Sequence, residues 1–263
     1  MLIAILIVLG LCLGSFVNAF VWRIHEKKDW VKERSVCIHC GHQLAAKDLV
    51  PVLSWLMLRG KCRYCHAKID DSPIVEIITA VLFVLSYLYW PLALDNKGVT
   101  LFIFWLVFLV GFIALSVYDL KWFLLPDKIT FALLSLSVVQ VILIIFVFDG
   151  GIEALKSTLL GLLVGGGVFY ALFQVSAGRW IGGGDVKLGA LIGLILASPS
   201  LSFLMIFLAS VLGSAVAIPL LLTGKAKKGS HLPFGPFLIA ATIIVELFGL
   251  SIIAWYKKQF LFI

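Results

Sequence analysis

Charge is scarce in this sequence. Asp, Glu, Lys and Arg together make up 13% of its 263 residues, against 62% hydrophobic residues. A soluble domain carries about a quarter charged residues, so an ordinary soluble fold is excluded. Strand-like alternation of apolar and polar residues is missing too, which argues against a membrane barrel. The first apolar run lacks the basic flank and small-residue cleavage site of a signal peptide, so it is expected to stay as a helix. Acidic residues are fewer than basic ones, 14 against 21, and cysteines number only five. Each acid and each cysteine therefore invites a reason for its position.

What fills the chain is a series of apolar runs, most of them near the ~20 residues that cross a bilayer as a helix. Eight candidate spans cover 2–22, 74–94, 100–118, 129–148, 154–177, 186–197, 201–222 and 234–256. The sixth is short and glycine-rich, and is expected to be half-inserted or tilted. Seventeen of the 21 basic residues fall in the loops that begin near residues 23, 119, 177 and 223. By the positive-inside rule those loops face the cytoplasm and the N-terminus lies outside. The net charge of +7 is then a topology signal. A basic face beside anionic lipid needs no nucleic-acid partner.

The one long loop, 23–73, contains CIHC (Cys37, Cys40) and CRYC (Cys62, Cys65), with 21 residues between the pairs. Two Cys-x-x-Cys pairs at such a distance form the usual layout of an all-cysteine tetrahedral Zn2+ site. In the reducing cytoplasm disulfides are disfavoured. Four thiolates leave no open coordination position, so a structural zinc is expected, which supplies folding energy that a short loop lacks. His39, His42 and His66 are read as solvated loop residues, and Cys12 as a small apolar filler of the first span. The expected fold is thus all-α: a polytopic transmembrane bundle of about eight helices with a small zinc-ribbon-like cytoplasmic loop. It divides into a first helix (1–22), the loop (23–73) and a membrane core (74–263).

Few acids lie near span ends. Glu76 opens the second span and Glu246 sits inside the last. Asp119 ends the third, Asp127 follows eight residues later, and Asp185 opens the sixth after a run of glycines. Ionisable groups at membrane depth are functional candidates. Asp119, Asp127 and Asp185 share the cytoplasmic boundary, where two carboxylates can share one proton and activate water against a peptide carbonyl. Glycines before Asp185 would admit an extended substrate and leave a loop free to move. Structural alternatives stand beside this: Asp185 as a first-turn helix acid, and Asp119 paired with Lys121 or Lys187. Ion or proton translocation is a further alternative at this point.

Several segments then match a known family in order: GSFVNAFVWRI (14–24), the loop from Arg34 to Ile69 with its DLVPVLSWLMLRGKC run, YDLKWFLLPDKIT, GGGDVKLGALIG and PFGPFLIA (233–240). Together they resemble the bacterial type IV prepilin peptidases, the leader peptidase/N-methyltransferases, which are Gly-x-Gly-Asp membrane aspartyl proteases. The resemblance covers most of the chain. It implies that Asp119 and Asp185 are the catalytic pair of a membrane core at 74–263, with Asp119 preferred over Asp127 because it precedes Leu-Pro-Asp. It implies a type IV prepilin or pseudopilin substrate, cut at the cytoplasmic face of the bacterial inner membrane after a short basic leader. Gly183, Gly184, Lys187 and Glu76 are candidates for positioning substrate or loop, Glu76 matching the acid that ends a family motif. Many family members also methylate the new N-terminus with S-adenosylmethionine. Here that motif reads IDDSPIVE (69–76), one residue shorter than the family's and without its Arg-Tyr, so methyl transfer stays open. A transporter would require polar residues at mid-depth, and few lie there. An inactive zinc-loop scaffold would lack Asp119 or Asp185, and both are present.

Overall fold

The computed structural model describes residues 1–29, 33–69, 71–224 and 232–261. Asp70 of the IDDSPIVE segment and the basic residues Lys32, Lys225, Lys227 and Lys228 lie outside the described residues. Among those described, regular structure is helical apart from two isolated β-bridges. The helices are α1 (Leu2–His25), α2 (Leu53–Met57), α3 (Ile74–Leu88), α4 (Asn96–Trp122), α5 (Asp127–Phe146), α6 (Gly151–Leu162), α7 (Val168–Ser176), α8 (Gly183–Leu196), α9 (Pro199–Leu222) and α10 (Gly235–Tyr256). Among the described residues, six stretches are long and apolar enough to cross a membrane: α1, α4, α5, α6 with α7, α9 and α10 with the turn that follows it. The protein is a multi-pass membrane protein.

Two of the expected boundaries move for a local reason, and another span is interrupted. The second span stops at Leu88, not residue 94, because Pro91 disfavours helix in the residue before it. The third starts earlier, at Asn96, since Asp95 caps it: the Asp95 carboxylate accepts the Gly98 N–H at 2.7 Å. The fifth is broken by a π-helical turn at Leu163–Gly167, sequence LVGGG.

The described chain clusters into two compact units, Met1–Leu88 with Trp105–Val117, and Tyr89–Phe104 with Tyr118–Ile263. In the first, α1 meets α3 backbone to backbone. A Cβ on Gly10 would stand 2.5 Å from Ala80 Cα, and one on Gly14 2.5 Å from Glu76 Cα. Two glycines four residues apart form the small-residue seam through which membrane helices pack without a hydrophobic driving force. Trp105, Phe83 and Phe112 fill the core beside it, and the Trp105 indole N–H donates to Ser86 Oγ at 2.9 Å. A buried indole needs such a partner.

In the second unit α8 is the hub. At 14 residues it is about 21 Å long, short of the ~30 Å hydrocarbon core. Neighbouring helices rather than lipid cover Leu188, Leu191 and Ile192, which are fully buried. Here again glycines four apart set the approach. A Cβ on Gly193 would lie 2.5 Å from the Gly161 carbonyl oxygen, and one on Gly165 2.7 Å from that of Gly189. The π turn in LVGGG is what presents Gly165 and Gly166 to α8. Cys12, expected as a small apolar filler of the first span, lies on the exposed side of α1.

Candidate active site

Asp119 lies in the last turn of α4. Phe123 ends that helix in a left-handed conformation (φ 56°), and its N–H bonds to the Asp119 carbonyl at 2.8 Å. A carboxylate near a helix C-terminus faces the negative end of the dipole, so it needs a compensating donor. The N–H of Gly235, at the start of α10, donates to the Asp119 side chain. Only 6% of Asp119 is exposed.

Asp185 is the third residue of α8. The extended Gly182 (φ −74°, ψ 151°) precedes the helix as its N-cap, and the Asp185 N–H donates to Gly182 O at 3.1 Å. An acid in the first turn faces the positive end of the helix dipole. Gly183 and Gly184 belong to the first helical turn, not to a free loop as the sequence suggested, because the helix starts two residues before Asp185. Their backbone stays in ordinary helical conformation. What Gly184 provides is proximity, since a Cβ there would come within 3.1 Å of Leu125 Cβ.

Leu125 ties the two carboxylate sites together. It lies in the short link between α4 and α5, touching the Gly184 position on one side. On the other, a Cβ added to Gly235 would be 3.4 Å from Leu125 Cδ2 and 2.6 Å from Asp119 Oδ2. Asp119 is close enough that its charge acts on Asp185. The two carboxylates, 66 residues apart in sequence, thus converge where the end of α4 meets the starts of α8 and α10. Leu125, Gly182 and Gly235 were not singled out by sequence. The signal for Gly235 was a glycine between two prolines at a helix start.

Lys187 does not pair with Asp119. Its ammonium bonds to Asp127 Oδ1 at 2.6 Å and lies over the Phe131 ring, 5.3 Å from the centroid. Asp127 is the first residue of α5, so this bridge joins the starts of α5 and α8.

The cysteines form a second constellation, wholly within the first unit. The Sγ atoms of Cys37, Cys40, Cys62 and Cys65 all lie within 4.8 Å of one another, with Cys37 and Cys65 at 3.9 Å. A tetrahedral ion with metal–sulfur bonds of about 2.3 Å sets its sulfurs roughly 3.8 Å apart. The four sulfurs are near enough to one another to converge on such an ion. Each pair sits on the same kind of turn. Cys37 N–H donates to His42 O at 2.9 Å and Gly41 N–H to Cys37 O at 2.8 Å. Likewise Cys62 N–H donates to Ala67 O at 2.8 Å and His66 N–H to Cys62 O at 3.0 Å. Backbone N–H groups of His39 and Cys40 favour the thiolate form of Cys37. None of the neighbouring histidines joins the cluster, and the His42 ring rests on Tyr64, 3.6 Å between centroids.

Asp48 stitches the two turns. Its carboxylate accepts from Arg63 Nε at 2.6 Å, Tyr64 Oη at 3.2 Å and Ala45 N at 3.3 Å. The Arg63 guanidinium holds that carboxyl below the usual range. Glu76, buried in the first turn of α3, accepts the N–H of Val52 at 2.5 Å. It contacts the loop, at a residue held in positive φ (60°).

Comparison with known proteins agrees with this arrangement. Residues 8–90 match the bacterial peptidase A24 N-terminal domain, and 106–218 the type IV leader peptidase family. Among similar proteins, the prepilin leader peptidase/N-methyltransferase of Aeromonas hydrophila is 32% identical, over 96% of this chain and 92% of its own length. That of Bacillus subtilis (strain 168) is 31% identical, over 98% and 99%. The type 4 prepilin-like proteins leader peptide-processing enzyme of Escherichia coli O78:H11 is 34% identical, over 87% of each. No solved structure matches. On the residues matched and the length covered, the chain belongs to the prepilin leader peptidase/N-methyltransferase family.

Proposed function

We propose that this protein is a membrane aspartyl endopeptidase that removes the leader peptide of type IV prepilins or pseudopilins, with Asp119 and Asp185 as its catalytic pair. The observation that supports this most is the convergence of those two carboxylates at the ends of α4 and α8. Two carboxyl groups sharing a site do not both ionise readily, so one holds a proton while the other acts as base.

In the cleavage step the ionised carboxylate takes a proton from water, whose oxygen bonds to the scissile carbonyl carbon. The protonated partner gives its proton to the carbonyl oxygen. Collapse of the tetrahedral intermediate breaks the C–N bond, and the dyad returns a proton to the leaving amine. Gly184 lets Leu125 pack against the start of α8 beside Asp185, and Gly183 leaves that turn open toward Phe173. Lys187, through Asp127, holds the start of α8 in register.

The enzyme lies in the bacterial inner membrane, with the N-terminus outside and both the dyad and the cysteine loop on the cytoplasmic side. The distribution of Lys and Arg supports this orientation. The basic prepilin leader is attracted to the acidic pair. Cys37, Cys40, Cys62 and Cys65 hold a structural Zn2+, the sulfur spacing being right for it, and Glu76 pins the loop. The relatives' shared name supports a second activity, methylation of the new N-terminus. S-adenosylmethionine is the methyl donor of such an activity, and the hydrolysis does not involve it.

The test uses purified protein in lipid with a prepilin, the products weighed by mass spectrometry beside Asp119→Asn and Asp185→Asn. Wild-type protein is expected to release the leader and both variants to leave the prepilin intact. Full cleavage by either variant ends the dyad assignment. Adding S-adenosylmethionine and finding the mass of one methyl group on the product tests the second activity.

A further inference from the structure

The Pro-Phe-Gly-Pro-Phe stretch at 233–237 has no part in the cleavage steps, yet it opens α10 directly against Asp119. A helix start offers several N–H groups without partners inside the helix. Here Pro236 contributes none, and the N–H groups of Phe237 and Leu238 both return to Phe234 O, at 3.0 and 3.1 Å. The N–H of Gly235 goes instead to the Asp119 carboxylate. One donor of the helix start is thus directed at one oxygen pair on another helix.

The absence of a side chain at Gly235 is as specific as the donor. A Cβ there would lie 2.6 Å from Asp119 Oδ2, nearer than real Cβ atoms come, and 3.4 Å from Leu125 Cδ2 on the other side. Asp119 is buried and has little room to retreat. Nothing in the backbone demands glycine, because Gly235 is a helical residue outside the positive-φ set. Alanine is the better helix former. By fold alone, alanine at 235 should be neutral or favourable.

We infer that Gly235 is a positioning residue for the peptidase reaction: its N–H aims the Asp119 carboxylate, and its missing side chain gives that carboxylate its place. This rests on Asp119 being half of the catalytic pair. Misplacing a reacting group by about 1 Å costs on the order of 100-fold in rate. Gly249, on the same helix, serves as the contrast. A Cβ there would meet only apolar atoms, Leu201 Cδ2 at 2.8 Å and Val245 Cγ1 at 3.0 Å.

The experiment measures kcat, KM and thermal unfolding of the full-length protein in lipid, with a prepilin substrate, for wild type, Gly235→Ala, Gly249→Ala and Asp119→Asn. Gly235→Ala is expected to lose about 100-fold in kcat with KM and Tm close to wild type. Gly249→Ala is expected to lower Tm and keep kcat. Wild-type kcat in Gly235→Ala beside an inactive Asp119→Asn overturns the inference and leaves the dyad standing. An active Asp119→Asn overturns both. A Gly235→Ala loss confined to KM, or one that disappears when activity is counted per folded molecule, also overturns it.

Discussion

The cysteine cluster and the carboxylate pair are both small polar sites in an apolar protein, but they are assembled in opposite ways. The cluster is built from two short turns of the same kind, each closed by its own backbone hydrogen bonds, and two of its four cysteines, Cys40 and Cys65, are exposed. Its cross-links are side chains within the same loop, Asp48 to Arg63 and Tyr64. The carboxylates come from helices far apart in sequence, and their places are set by backbone: the helix start at Gly182, the N–H of Gly235, and glycines that let Leu125 close in. A site made of local turns tolerates change in its surroundings and depends on its ligands. A site made of converging helix ends depends on residues that carry no chemistry.

That contrast can be broken at several levels. The largest effect is expected at the acids themselves. Asp119→Asn or Asp185→Asn should slow prepilin cleavage by at least ~1,000-fold, the upper range for losing a positioned acid or base, with little change in Tm. Next, Cys62→Ser should abolish metal binding, read by metal analysis falling from about one ion per chain toward none. Limited proteolysis should then cut within 34–69 faster, and helix content should stay constant by circular dichroism. A smaller effect is expected at Arg63→Ala. Because Arg63 depresses the Asp48 pKa, Asp48 stabilises the loop above its unfolded value of about 3.9. That support is lost only as pH falls through the lower folded value. Loop protection in the wild type should therefore persist to lower pH than in Arg63→Ala, measured by hydrogen exchange. The smallest effect belongs to Lys187→Met. Its bridge to Asp127 is partly exposed, and such pairs are worth at most about 1 kcal/mol, so kcat should shift by less than about tenfold.

What the sequence made legible follows the same division. Apolar runs announce spans because lipid leaves backbone groups no partner outside the helix, and apart from α2 the helices found fall on the eight runs expected, six of them long enough to cross a membrane. The cysteine spacing was readable because its meaning is local. Asp119 and Asp185 could be given a common depth from charge alone, but a depth is not a contact. Which acid Lys187 would choose was undecidable, since Asp119 and Asp127 share that depth, and the fold selects Asp127. The start of α8 was misread because glycines signal weakness in an isolated helix, whereas here they are spaces filled by Leu125 and by neighbouring backbone. Gly235 sat in a quoted motif between two prolines, yet its role was unreadable for the same reason: it is written in the position of another residue's oxygen.

The hydrogen bond from Val52 to Glu76 has a consequence for chain entropy. The 21 residues between the cysteine pairs would form one wide ring when an ion joins their ends. Val52 lies near the middle of that interval, and its attachment to α3 divides the ring into two arms of about half the length each. Each arm then searches a smaller volume from a fixed root, and the cost of loop closure grows with the logarithm of length. If the four cysteines hold an ion, the carboxylate of Glu76 would lower the threshold for its capture without touching it, by shortening the tether rather than strengthening the knot.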